Sequence, residues 1–576
     1  MNRRTFLAIS AAAAAAPYAS FAVENATASP ENTHMRINEP LLRGRNHNRS
    51  SVVARHGMVS ASQPLATIAG VDMLKAGGSA VDAAIAANAM LSLVEPMNCG
   101  PGGDLFAIVW DAKGGELLGL NASGRAPYDW TLDKAEGLGL KEIPGFSPHA
   151  WNVPGCVSGW EALHGKLGRL SRDQVLAPAI VAAREGFAVS PVVAYDWAFE
   201  SAGHPTLAAV FQPSGSAPAY GDIHANPALA DTLELLAKEG WRAFYDGAIG
   251  EKIVKFSQEN EGHFSARDFA EHTADWVEPV STSYRGFDVW ELPPNGQGIA
   301  VLQMLNMLET FDIGSLEPNS AEHLHLLIEA KKLAYEDRAV YYADPDFAEV
   351  PTPWLISKEY GRERAKRIDP KRAARTATFG EKHSDTIYLT AADAEGNMVS
   401  LIQSIYGRWG SRIVPAGLGF ALQNRGESFS LNPKHRNALA PRKRPFHTII
   451  PAFLTQDGQP RMSFGVMGGA FQPQGHSQVL MNMLDFGMDP QQAGDQPRVE
   501  HNGSSDPTGS VMKEGGTVKL EQRIPDTVRQ ELEDLGHTVD VNTGAFGGYQ
   551  AIWREEEPMR YFGGSDPRKD GASMGW

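Results

Sequence analysis

The chain has 576 residues, 42% hydrophobic and 21% charged, which is ordinary globular composition and enough for a large core. Its formal net charge of -16 is spread thinly rather than gathered in one acidic block, which excludes nucleic acid and anionic membrane surfaces as natural partners. No apolar run is long enough to span a bilayer.

The N-terminus reads MNRRTFLAISAAAAAAPYASFA, with Arg3 and Arg4 before a short apolar run from Phe6 to Ala16. Small residues at Ser20 and Ala22 suit cleavage, so the pattern predicts a signal peptide over 1–22. The paired arginines followed by Thr5, Phe6 and Leu7 resemble a twin-arginine export signal. The expectation is a periplasmic or secreted protein with no stable membrane association after export. Residues 23–50 are polar and aperiodic, and predict a loose mature N-terminus.

Leu65, Ile68, Val71 and Leu74 keep helical spacing, and Gly77-Gly78 stops that helix. An alanine-rich second helix runs from about Ala80 to Leu93, followed by a glycine-rich turn and two strands joined through Lys113-Gly114-Gly115. From about 157 to 380 helical periodicity dominates; after Thr386 short strands and turns take over. Without an internal repeat or a linker beyond residue 50, the pattern predicts one α+β unit. Cys99 and Cys156 permit a disulfide in an oxidising compartment without requiring one. There is no CxxC or HExxH, and His323-x-His325 on an amphipathic helix reads as core or surface histidines, so neither metal nor cofactor is expected.

The stretch HSDTIYLTAADAEGNMVSLIQSIY carries the chemistry. Asp393-Ala394-Glu395-Gly396-Asn397 is a good turn, and if Asp393 faces Asn397, Thr386 falls opposite Ser404 and Thr390 opposite Ser400. Opposed β-carbons lie about 4.5–5.5 Å apart, so a row of hydroxyls forms on one face while Ile387, Leu389 and Ala391 turn to the other. A threonine hydroxyl becomes a nucleophile when a base takes its proton, and an N-terminal threonine carries its own base in its α-amine. Thr386 is internal, so that role requires a cut between Asp385 and Thr386, which the hydroxyl can make by attacking the Asp385 carbonyl. The freed amine would then have a pKa near ~7.7–8.0, close to the useful range. The hairpin alone leaves this reading open beside that of an ordinary strand threonine.

Several stretches, in order, resemble the gamma-glutamyltranspeptidase family of N-terminal nucleophile hydrolases: LKAGGSAVDAAIAANAMLSLVEP, VPGCVSGWEALHGKLGRL, the Thr386 hairpin, KRPFHTIIPAF, GVMGGAFQPQGH and the terminal GGSDPR. The resemblance implies a four-layer αββα sandwich made from a self-cleaving precursor, with a large subunit over 23–385 and a small subunit over 386–576. It implies Thr386 as nucleophile, Ser404 as the assisting hydroxyl, and Gly468-Gly469 as the source of oxyanion-binding N–H groups.

Departures fall on substrate recognition. Ser123 stands where the family places a carboxylate-gripping arginine, and Arg125 lies two places later. Ser428, with Glu427 beside it, occupies the place of the aspartate that grips an α-amine; His447-Thr448 replace a serine pair, and Tyr406 an asparagine. Arg125 and Arg425 are candidate carboxylate ligands, each equally readable as a structural ion-pair partner. With Asn424, Glu427, Ser428, His447 and Thr448 they form the candidate substrate-binding set. The run KHRNALAPRKRP reads as a solvated loop.

The first reading is an exported, self-processing hydrolase or acyltransferase acting on a γ-glutamyl amide of the glutathione type. The second keeps the chemistry and changes the substrate to a glutaryl, cephalosporin-type or other acyl amide, since an acyl group without an α-amine needs no anion at position 428. The third is an uncleaved periplasmic binding or scaffold protein.

Overall fold

A computed structural model describes residues 49–198, 204–375, 386–509, 511–540 and 546–576. The expected signal peptide and Asp385 lie outside the described residues. The described residues belong to one compact unit that begins at Arg36. Helices and antiparallel strands occur in blocks, which makes the fold α+β.

Two seven-stranded sheets organise the unit. With their strands numbered in chain order, the first runs β1 (Val52–Ala54), β13 (Met559–Ser565), β12 (Gly548–Glu556), β11 (Gln459–Met467), β10 (Ala452–Gln456), β7 (Phe287–Glu291), β6 (Val280–Tyr284). The second runs β14 (Ala572–Gly575), β2 (Met58–Ala61), β8 (Ile387–Ala392), β9 (Met398–Ser404), β3 (Asp104–Asp111), β4 (Glu116–Ala122), β5 (Asp275–Val277). The hairpin β8–β9 therefore sits in the middle of its sheet, where neither strand has a free edge.

Its register is the one the turn dictates. Leu389 pairs with Leu401 and Thr390 with Ser400, which carries Thr386 opposite Ser404 at the open end. Asp393 locks the turn: its Oδ1 accepts the N–H groups of Glu395 and Asn397, and its Oδ2 accepts the Asn397 side-chain amide at 2.8 Å. The same Oδ2 accepts the Ala80 N–H at 3.0 Å, bolting the hairpin to a neighbouring helix. Gly396 takes φ 91°, which a side chain would resist.

The two faces of the hairpin meet different partners. Ile387, Leu389 and Ala391 join a cluster with α1 (Pro64–Lys75) and α2 (Ala80–Val94), the latter capped by a Ser79/Asp82 box and buried along its whole length. Tyr388 and Ala392 share a second cluster with Phe453, Met467 and Ile552 of the first sheet. Hydroxyls also cross between the sheets: Thr390 Oγ1 lies 2.5 Å from Ser463 Oγ, and Ser400 Oγ accepts the Ala452 N–H at 3.1 Å. Helix α4 (Ile299–Leu308) packs on β6 and β7, and α6 (Gln472–Leu484) on β11.

Several sequence expectations need correction. The 157–380 region, expected to be helical, also holds β5, β6 and β7. The β6–β7 turn is Arg285-Gly286 with φ of 51° and 85°, and arginine there hides a two-residue hairpin that Asn-Gly would have announced. Ile68, assigned to the apolar stripe of α1, is 43% exposed. The run from Lys434 to Arg444 is solvated only at its start: Lys443 Nζ donates to the Ala438 carbonyl at 3.0 Å, and Arg444 pairs with Asp275 at 2.7 Å. Cys99 and Cys156 are both buried and free.

Candidate active site

Thr386 is fully buried at the head of β8, and its Oγ1 donates to Ser404 Oγ at 3.3 Å. Ser404 Oγ also accepts the Tyr406 N–H at 2.8 Å, which fixes the acceptor in place. Tyr406 holds φ at 74°, a left-handed conformation costly for an aromatic residue, immediately beyond the strand that carries Ser404.

On the other side of β9, Ser404 pairs with Asp104, the first residue of β3. Asp104 was missing from the candidate set, yet it is completely buried and organises the site. Its Oδ1 accepts the Gly124 N–H at 2.7 Å and the Gln423 amide at 2.8 Å, and its Oδ2 faces His447 Nε2 at 2.9 Å. His447 Nδ1 accepts the Ile449 N–H at 3.3 Å, so that nitrogen carries no proton and the ring donates from Nε2 to Asp104. Burial, with the Arg425 charge adding to it and Asp104 opposing, lowers the His447 pKa to about 4, which keeps the ring neutral at physiological pH.

Arg425 occupies the next position outward. It is wholly buried, its Nη1 donates to Thr448 Oγ1 at 2.7 Å, and its guanidinium lies 3.9 Å from the centre of the Tyr406 ring. Nε and Nη2 have no hydrogen-bond partner among the described residues. Burial lowers its pKa to about 10, so it remains a cation at neutral pH. Asn424 Oδ1 accepts the Gly407 N–H at 2.8 Å, and Ser428 lies beside the Tyr406 hydroxyl. Glu427 packs directly over the Gly145 backbone: a Cβ there would lie 1.6 Å from Glu427 Oε2 and displace that carboxylate. The other candidate arginine is not brought into this network: Arg125 is spent on Asp275 at 2.7 Å and on the Thr273 carbonyl at 3.0 Å.

Gly468 and Gly469 follow β11 with φ of 124° and 55°. The Gly468 carbonyl accepts the Phe471 N–H at 3.0 Å. In the same planar trans peptide the Gly469 N–H must point the opposite way. The Gly469 carbonyl accepts Gln297 Nε2 at 2.8 Å, and that same nitrogen donates to the Thr448 carbonyl at 2.7 Å. The glycine pair, Thr448, Arg425, His447, Asp104, Ser404 and Thr386 are thus joined in one continuous chain of contacts.

Among the described residues, His325, Glu329 and His537 alone converge as a group able to hold a metal, with ligand atoms within 4.8 Å of one another. Their atoms already have partners: His325 Nδ1 lies 2.8 Å from His537 Nε2, and Glu329 accepts Lys332 Nζ at 2.8 Å. No described helix is long and apolar enough to cross a membrane.

The chain is similar to known proteins along most of its length. The gamma-glutamyltranspeptidase family model matches residues 66–576. A glutathione hydrolase-like proenzyme of Bacillus subtilis is 38% identical over 530 residues, covering 91% of this chain and 99% of that protein. An acylase proenzyme from a Pseudomonas strain is 34% identical over 518 residues, covering 86% of this chain and 89% of the relative. The crystal structure of a cephalosporin acylase from Bacillus halodurans superposes with a TM-score of 0.85 at 41% identity, over 92% of this chain and 98% of the other.

Proposed function

The chain belongs to the gamma-glutamyltranspeptidase family, and from that premise we propose that it is an exported amidohydrolase that cuts itself before Thr386 and then uses that threonine to cleave an acyl amide. The observation that carries the reading is the buried Thr386 Oγ1–Ser404 Oγ contact at the head of a hairpin whose register leaves no alternative partner. The facing sheets with helices on their outer sides support the four-layer αββα arrangement. The large subunit then ends at residue 385 and the small one spans 386–576.

In the reaction the freed Thr386 amine takes the hydroxyl proton as Oγ1 attacks the amide carbonyl. Negative charge develops on the carbonyl oxygen, and the Gly468-Gly469 backbone N–H groups would receive it. The same amine returns the proton to the leaving nitrogen. Water, deprotonated by the amine in a second round, opens the ester and regenerates Thr386. In the uncut chain Ser404 accepts the Thr386 O–H and so holds Oγ1 in position until the freed amine takes that proton. His447, neutral and donating to Asp104, holds the strand that presents Thr448.

For the acyl group, a γ-glutamyl amide remains the first reading, with the glutathione hydrolase-like relative behind it. One observation favours the second. Arg425 offers two unpartnered donor nitrogens for a carboxylate, while Asp104, the site's most buried carboxylate, is already engaged by Gly124, Gln423 and His447. An acyl chain ending in a carboxylate and lacking an α-ammonium, as in the glutaryl series, fits that distribution. Turnover of γ-glutamyl-p-nitroanilide against glutaryl-p-nitroanilide by the purified mature protein decides: a clear preference for the first sets the acylase reading aside. A chain that stays uncut would favour the binding-protein alternative.

A further inference from the structure

We propose that Gln297, held by Arg338, is the positioning residue that sets the oxyanion-binding loop in register with the strand that reads the acyl group. The inference rests on the Thr386 and Gly468-Gly469 reading above.

Gln297 lies in the loop PPNGQG, is completely buried, and makes three hydrogen bonds through its side-chain amide. Both hydrogens of Nε2 are used, one on the Thr448 carbonyl at 2.7 Å and one on the Gly469 carbonyl at 2.8 Å. Its Oε1 accepts Arg338 Nη1 at 2.7 Å. Arginine can only donate, so it fixes which end of the amide is oxygen and forbids the flip that would turn a lone pair towards the two carbonyls. Arg338 in turn lies 3.7 Å over the Tyr335 ring, on the same helix α5 (Ala321–Tyr341), and the Tyr335 hydroxyl donates to the carbonyl of Ala470.

Three successive carbonyls of the loop are therefore held from outside or by its own turn: Gly468 by the Phe471 N–H, Gly469 by Gln297, Ala470 by Tyr335. Because each peptide is planar and trans, fixing a carbonyl fixes the N–H on the opposite side of the same plane. Gln297 thus fixes the Gly469–Ala470 peptide, and through the Gly469 torsions it limits the neighbouring Gly468–Gly469 peptide that carries the Gly469 N–H, without itself touching the nucleophile. Through the Thr448 carbonyl the same amide is tied to the residue whose hydroxyl accepts Arg425. Misalignment would raise the barrier more than it weakens ground-state binding, because only the transition state carries the full oxyanion.

The test is Q297E, which keeps shape and strengthens the tie to Arg338 but points a lone pair at two carbonyls. Removing one oxyanion donor outright costs about 10²–10³ in kcat; misaiming it is expected to cost about 10- to 100-fold, with KM within about threefold. The inhibition constant of a boronic acid, which forms a tetrahedral adduct on Thr386, should rise in parallel with the loss of kcat. That of the free carboxylic acid product should not. R338M, which leaves the Gln297 donors but frees the amide to flip, should shift the same quantities in the same direction by less. Self-cleavage, which passes through a similar oxyanion, should slow in both.

A Q297E enzyme with lowered Tm but kcat within twofold of wild type would reduce Gln297 to a structural hydrogen bonder and overturn the proposal. If Q297E does not accumulate, R338M decides by the same criteria. A wild-type chain that is never cut would instead sink the Thr386 reading itself, so the two failures are distinguishable.

Discussion

The two halves of the site are finished to different degrees. Around Thr386 the protein supplies its own partners: Ser404 for the hydroxyl, the Tyr406 N–H for Ser404, and His447, Gly124 and Gln423 for Asp104. Around Arg425 it does not, since a buried guanidinium is left with two nitrogens lacking partners. Leaving a buried donor unmet costs about 1–3 kcal/mol, more for a charged group, which is the physical reason for proposing that a ligand carboxylate meets these nitrogens. The contrast teaches that the side proposed to break the bond is preorganised by the fold, while the side proposed to recognise the acyl group keeps donors for a ligand.

Breaking the preorganised half should have the largest effect. Thr386→Ala is expected to abolish self-cleavage and to reduce amide turnover by at least about a thousandfold, read by gel and by p-nitroaniline release. Ser404→Ala removes the acceptor without removing the nucleophile, and should cost roughly 10- to 100-fold in kcat, the range of a lost proton-handling contact, with KM little changed.

The unfinished half should respond in KM and in substrate choice. Arg425→Leu is expected to raise KM for a carboxylate-bearing donor by about 10- to 100-fold, the worth of a charge-assisted pair, while kcat falls less. A donor without that carboxylate should be almost unaffected, and the difference between the two donors is the sharper number. By contrast Arg125→Ala, which breaks the pair with Asp275 at the sheet edge, should leave the preference between donors unaltered and lower Tm only slightly.

A subtler effect comes from the buried neutral histidines. Burial lowers His447 and His323 to about 4 and His476 to about 3, all below the ordinary value of 6.5. Between pH 6.5 and 4 the unfolded chain binds protons that the folded chain refuses, so stability is full above pH 6.5 and falls as pH drops through that window. Denaturation midpoints measured from pH 7.5 to 4.5 should decline steadily. His447→Gln, if it folds, should show a shallower slope.

Much of the preorganised half was legible in the sequence. The Asp393–Asn397 turn suggested the hairpin register, and with it the Thr386–Ser404 pairing, on the condition that Asp393 faces Asn397, and the strands do pair in that alignment. Gly468-Gly469 were marked by the family resemblance as a source of oxyanion-binding N–H groups, and their left-handed backbone came only with the structure. Asp104 and Gln297 were not legible: Asp104 bonds residues 20 to 343 positions away and Gln297 residues 41 to 172 away, and a buried aspartate or glutamine looks like any other in a string. The recognition half was legible as a candidate set in which Arg125 and Arg425 stood equivalent beside Asn424, Glu427, Ser428, His447 and Thr448. Tertiary structure separates them: Asp275 takes Arg125, and nothing among the described residues takes the Nε and Nη2 of Arg425.

The most direct test of the central claim is N-terminal sequencing of every band in purified mature protein, alongside Thr386→Ala. The account requires two fragments, the smaller beginning Thr386-Ile387-Tyr388, and a single uncut chain in the variant. A wild-type chain that remains whole after long incubation, or a small fragment with any other first residue, would contradict it.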